Sequence, residues 1–383
     1  MSIANGTDLS RFPSFDLTRL LKTVFAPKGG EKVAVMIDLD DPRTVADLAF
    51  LDEEKNTIQR HAFNDIIGGL KTKTLADLDM TGGDLFAYKI TGGSNLDLPD
   101  EAYTPSGEVV SFERDVYPNY DLILVVSTYS ATAPLTALAK TYGFRGATMH
   151  GMNDIILASG LAVDYQEISK QAEKLRAGMA GANAVEIDFV VAENKHTLRL
   201  ELTGQEAQKS HGLCHGGPDV ANLPAGEVYF VPTSAGGTFP LRLESGTLSL
   251  MKVADGRIVD GELLTGDAEE LNRLLEKFRV DPASGEIGEL GFGTQDLPVS
   301  GRDIQDEKIL GTVHVATGRS DHLGGDLTPD KFHDRGNATH EDILFSPEKT
   351  PEIDISEVRM ERDGDVKILM AHYKPQYMQE LLC

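Results

Sequence analysis

The chain has 383 residues, 40% of them hydrophobic and 25% charged, enough for two soluble domains with cores that need no staple. Its formal charge is −25 and its acidic residues are dispersed rather than gathered in a tail, so its field repels nucleic acid and anionic membranes and excludes both as expected partners. The two cysteines, Cys214 and Cys383, cannot build a disulfide framework, no apolar run approaches the ~20 residues of a membrane span, and the opening MSIANGTDLSRF lacks a charged-then-apolar leader, so a cytoplasmic setting is expected.

In chain order, Lys32–Asp38 is a short apolar run that predicts a buried strand, followed by a helical stretch from about Thr44. Asp121–Val126 is a second buried strand. Ser127–Ser130 is a turn, a helix with an early proline covers Pro134–Tyr142, and Ala147–His150 is the next strand. A strand–helix–strand order of this kind implies a parallel sheet with right-handed crossovers. Asp164–Met179 is an amphipathic helix, with Tyr165, Ile168, Ala172, Leu175 and Met179 on one stripe and Asp164 as N-cap. The domain boundary is expected just after it, giving an N-terminal α/β domain over 1–183 and a larger α+β domain over 184–383.

The second half is richer in strand. Val185–Val191, Thr197–Leu202 and Val228–Val231 come first, then several short strands between Thr238 and Leu264 and a helix over Ala268–Phe278. A further helix is expected over Asp306–Thr317. The tail from Ile353 to Met370 predicts two strands joined at Asp363-Gly364, a hairpin signal.

Within this half, four apolar segments carry groups able to grip a cation. His340 and Asp342 stand two apart in His340–Phe345, so on a strand they share a face while Glu341 points away. Glu289 lies in Gly288–Phe292 beside glycines, where backbone can approach closely. Glu227 opens a strand after Leu223-Pro-Ala-Gly226, and His314 sits in the apolar run Leu310–Thr317. Burying an unpaired charge costs several kcal/mol, so such groups face a partner or a metal. Taken singly, a buried histidine or a strand-end glutamate is more often structural; recurrence in one half of the chain is what points to a metal centre. The sequence holds no phosphate-binding glycine loop, dinucleotide fingerprint, nucleophile elbow or zincin helix: a turn after His340 stands Leu344.

These residues resemble a family. Asn222-Leu-Pro-Ala-Gly-Glu227 is similar to the N-L-P-x-G-E signature of the M29 metallopeptidases, the thermophilic aminopeptidase T family, and Gly288-Glu289-Leu, His314-Val-Ala-Thr-Gly318 and His340-x-Asp342 follow in the same order. The match is sharp over 197–345 and architectural before it. The resemblance implies a homodimer of two-domain chains that removes N-terminal residues from peptides with two divalent ions (Zn, Co or Mn), held by Glu227, Glu289, His314, His340 and Asp342. Paired ions of this kind activate a water and polarise the scissile carbonyl.

Two features depart from the peptidases. Asp321 stands where they carry a tyrosine, and the stretch Asp306–His314 is longer, closer to relatives that include 2,5-dihydroxypyridine dioxygenase, an iron enzyme of the same fold. His314, His340 and Asp342 alone would form the two-histidine, one-carboxylate set of non-haem Fe(II) oxygenases. A ring-cleaving dioxygenase acting on a small aromatic molecule is therefore the rival reading, and a metal-binding protein without catalysis a third. Glu307 and Glu341 are the candidate general bases, and Asp321 the third candidate catalytic group.

Overall fold

The computed structural model describes residues 8–376, so Cys383 lies outside the described residues. The fold is mixed α/β, with one sheet that contains parallel strands and two antiparallel sheets. The chain divides into two compact units, one of residues 1–169, 210–225 and 297–306, the other of 170–209, 226–296 and 307–383. A single division at residue 183 treats each half as uninterrupted. Two later segments instead return to the first unit, the first of them because Val220–Asn222 pairs in parallel with Arg145–Thr148 as the edge of its sheet.

The first unit is built on seven strands. Lys32–Leu39 lies at the centre and pairs in parallel with both Thr81–Lys89 and Leu122–Val126. Leu122–Val126 is buried along its whole length, as a strand covered on both faces must be, which is why it reads as an unbroken apolar run. The helix Thr132–Tyr142 ends at Gly143, whose φ of 88° is the left-handed cap that glycine supplies without penalty. The stretch expected to be helical from Thr44 is broken: Asp47 and Leu48 take left-handed φ of 51° and 59° within Pro42–Asp52, and helix resumes at Thr57.

In the second unit, an eight-stranded antiparallel sheet runs through Ala184–Val191, Asn194–Glu201, Ser234–Arg242, Leu248–Ala254, Arg257–Thr265 and the tail hairpin. That hairpin, Asp354–Arg362 with Asp365–Ala371, turns at Asp363 and Gly364 with φ of 53° and 87°, the paired positive values of the tight turn that Asp-Gly favours. The second sheet orders His340–Phe345, Val313–Gly318, Ile287–Gly293, Glu227–Phe230 and Gln208–Ser210 side by side. Its apolar face (Val228, Phe230, Leu290, Phe292, Val313, Val315 and Phe345) joins the unit's core.

The helix expected over Asp306–Thr317 is not formed. Only Asp303–Asp306 is helical, and Val313–Gly318 is a strand. Val313, Val315 and Thr317 are β-branched, lose χ1 freedom in a helix, and pack well on a pleated surface. No helix among the described residues is long and apolar enough to cross a membrane.

Candidate metal centre

The opposite face of the five-stranded sheet carries the polar residues. Pairing sets them in register: Glu227 lies opposite Gly293, Gly291 opposite His314, Glu289 opposite Ala316, Asp342 opposite Ala316 from the other side, and His340 opposite Gly318. Because side chains alternate, Glu227, Glu289, His314, His340 and Asp342 all project from one face. The positions between them are Gly291, Gly293, Ala316 and Gly318, so the face is a shallow floor bare of bulk. A Cβ at position 291 would run into the His314 ring, and one at 293 into the Ile309 carbonyl. The glycines beside Glu289 thus make room for ligand side chains rather than marking a turn.

The five groups converge. His314 Nε2 is 3.5 Å from Glu227 Oε2 and 3.5 Å from Glu289 Oε1. His340 Nε2 is 2.9 Å from Glu289 Oε2 and 3.4 Å from Asp342 Oδ1. Two trios able to hold an ion follow, Glu227–Glu289–His314 and Glu289–His340–Asp342, with a third formed by Glu307, His314 and Asp342. Glu289 belongs to the first two, one oxygen to each.

Arg319 orients His340: Nδ1 lies 2.6 Å from the Arg319 carbonyl, which can only accept, so a neutral ring carries its proton there and presents Nε2 to the cluster. Burial would by itself keep Glu289 protonated, yet the two imidazoles hold its carboxyl well below the usual range. Burial would push His314 down as well, but the surrounding glutamates raise it to about 9, and Asp342 and Glu289 raise His340 in the same way.

Glu307 sits inside the cluster. Burial, opposed by Lys308 and reinforced by the nearby Asp342 and Glu227 charges, pushes its carboxyl up to about 8. Glu341 alternates out of the cluster and is exposed. Asp321 is gripped by the Arg319 guanidinium at 2.7 Å and 3.2 Å. Burial opposes that grip, but Arg319 and His322 hold the Asp321 carboxyl well below the carboxylate range.

Two participants escape a reading of the sequence. Lys308 is 1% exposed and reaches Glu227 Oε1 at 2.5 Å while also contacting Glu307 Oε1. Burial would strip its proton, and the two carboxylates overrule it. His322 stacks edge-on against His340, centroids 5.0 Å apart, and its buried Nδ1 faces Asp321 Oδ1 at 3.9 Å with no hydrogen-bond partner among the described residues. A lysine in sequence reads as surface; the one available signal was the adjacent Glu307-Lys308 pair ahead of an apolar run.

The donor set fits divalent cations. Four carboxylates (Glu227, Glu289, Glu307 and Asp342), two imidazoles and one ammonium share a largely dry place, and Glu227 Oε2 and His314 Nδ1 are buried with no hydrogen-bond partner among the described residues. Carboxylate oxygens with imidazole nitrogens suit Zn, Mn, Co or Fe.

No family model matches the chain, and no curated protein matches it. Two solved structures share its fold. The structure of 2,5-dihydroxypyridine dioxygenase from Pseudomonas putida KT2440 superposes with a TM-score of 0.59 at 14% identity, covering 94% of this chain and 96% of that one. Wild-type AmpT from Thermus thermophilus superposes with a TM-score of 0.53 at 13% identity, covering 94% and 98%. Both likenesses run nearly end to end and show a distant structural relationship.

Proposed function

We propose that this chain is a metal-dependent aminopeptidase that hydrolyses the N-terminal residue from small peptides at a centre of two divalent ions. The observation that carries the reading is Glu289, whose Oε1 faces His314 and Glu227 while its Oε2 faces His340 and Asp342. A carboxylate divided between two donor sets serves two cations; a single ion needs neither the division nor Glu227. Bound there, such ions supply Lewis acidity and a water nucleophile at neutral pH.

The rest of the chemistry falls to the chain. Glu227, Glu289, His314, His340 and Asp342 would hold the ions, and the Arg319 carbonyl fixes the His340 tautomer. Of the three candidate catalytic carboxylates, Glu307 is the one within the cluster. Its place beside His314 and Asp342 suits a group that takes a proton from the attacking water and hands it to the leaving amine. Asp321, bound to Arg319, braces the loop that carries the His340 acceptor.

A second reading has its own support. His314, His340 and Asp342 compose the donor set of a non-haem Fe(II) ring-cleaving dioxygenase, and Lys308 already neutralises part of Glu227. The deciding experiment loads the purified chain with Zn, Mn, Co or Fe(II), measures metal per chain, and assays it on aminoacyl amides and on dihydroxylated aromatic rings. Two ions per chain with amide hydrolysis are expected. One iron per chain with substrate-dependent oxygen uptake would replace the first reading with the second.

A further inference from the structure

We infer that Lys308 is a built-in cation that makes the two ion positions unequal, so that the Glu289–His340–Asp342 position fills first and the Glu227–Glu289–His314 position fills later and more weakly. The inference rests on the two-ion reading above and adds an order of binding to it.

Three observations on the two positions carry it. The Lys308 ammonium is 1% exposed and lies 2.5 Å from Glu227 Oε1, so of this ligand's two oxygens only Oε2 remains for an ion. The same ammonium also contacts Glu307, which lies with both His314 and Asp342. A fixed positive charge there repels a divalent ion entering beside it and competes for the electron density of its ligand. At the other position the ionic neighbours of His340 Nε2 are two carboxylates, Glu289 at 2.9 Å and Asp342 at 3.4 Å.

The histidines differ in the same sense. His340 is locked by the hydrogen bond from Nδ1 to the Arg319 carbonyl, whereas His314 Nδ1 has no partner. A ligand held in its binding tautomer by an outer partner gives tighter metal affinity than one left free to tilt. In this scheme Lys308 ties up one Glu227 oxygen and offsets part of the carboxylate charge before any ion arrives.

The test is a metal titration of the full chain, stripped of metal and dialysed against buffered free Mn²⁺ or Zn²⁺, with bound metal per chain read by elemental analysis. Wild-type protein should show two steps at least tenfold apart in free-ion concentration. In Lys308→Met, which keeps the length and removes the charge, the second step should move at least tenfold toward tighter binding, while the first moves less than threefold.

Two steps of equal affinity in the wild type overturn the inference with no variant needed, so the test stands even if Lys308→Met does not fold. An unchanged or weakened second step in a folded Lys308→Met also overturns it. One ion in the wild type but two in the variant would uphold the role of Lys308 and remove the two-ion reading of the native chain. One ion in both would remove both.

Discussion

Gly291 lies directly opposite His314 in the antiparallel pairing, and the space its missing side chain leaves is the space the imidazole occupies. The candidate site is therefore shaped by a residue that has no side chain to offer it. Gly291→Ala places a methyl group against the His314 ring. It should tilt the ring away from Glu227 and Glu289 and weaken metal binding at that position by at least tenfold. Overpacking of this kind costs about 1–3 kcal/mol of stability, so the variant should still fold. Metal content and a thermal melt measured on the same sample would separate the two effects; unchanged metal affinity would mean that the ring does not need this space.

Asp342 is one of three groups able to hold an ion at the His340 position and is the most exposed of them, with 29% of its side chain accessible. Asp342→Ala should therefore abolish retention of one ion per chain while leaving the fold intact, because little buried surface is lost. Full occupancy after dialysis in that variant would strike Asp342 from the ligand set.

Removal of metal should lower stability. Glu227, Glu289, Glu307 and Asp342 crowd together in a largely buried place, where Lys308 and the protons held by His314 and His340 offset their charge. Ions that bind only the folded chain add stability by mass action, about 2.7 kcal/mol at a free concentration a hundredfold above Kd. A chelator should lower the melting temperature, and re-addition of Mn²⁺ or Zn²⁺ should restore it. A melting temperature indifferent to chelation would mean that the carboxylates are held apart by something other than bound ions.

Much of this site was legible before the fold, and the reasons are specific. His340 and Asp342 could be placed on one face because the strand alternates by two, and the pairing with Gly318 and Ala316 bears out that geometry. His314 was expected on a helix and lies on a strand, because a short apolar run reads equally well either way; its β-branched Val313, Val315 and Thr317 were the tie-breaking signal. Lys308 was illegible because its burial depends on Glu227, far away in sequence, and lysine is almost never buried without such a partner. The return of 210–225 to the first unit was equally hidden. The pairing of Ala221 with Ala147 is a long-range contact that local pattern does not encode. The tail hairpin, by contrast, is set by two adjacent residues, Asp363 and Gly364, and could be read directly.

A last prediction concerns acid stability and stands apart from the metal centre. Asp188 is buried on the middle one of three adjacent strands, where it accepts from Thr197 Oγ1 at 2.6 Å, pairs with Lys195 at 2.8 Å, and contacts the Arg359 guanidinium. Burial would raise its carboxyl, but Arg359, Lys195 and Thr197 together hold it at about 2, below its ordinary 3.8. A carboxyl depressed in the folded state stabilises the fold above its unfolded pKa, and that contribution is lost as the pH falls through the folded value. The pairing should thus contribute about 2 kcal/mol at neutral pH, shrinking between roughly pH 4 and pH 2. Other carboxylates protonate over the same range, so the comparison is with Asp188→Asn, which removes this titration alone. The stability gap between wild type and variant, measured by urea unfolding, should be full at pH 7 and close on the way to pH 2. A gap that stays constant with pH would show that the cost of Asp188→Asn comes from packing and not from the charge that Arg359 and Lys195 balance.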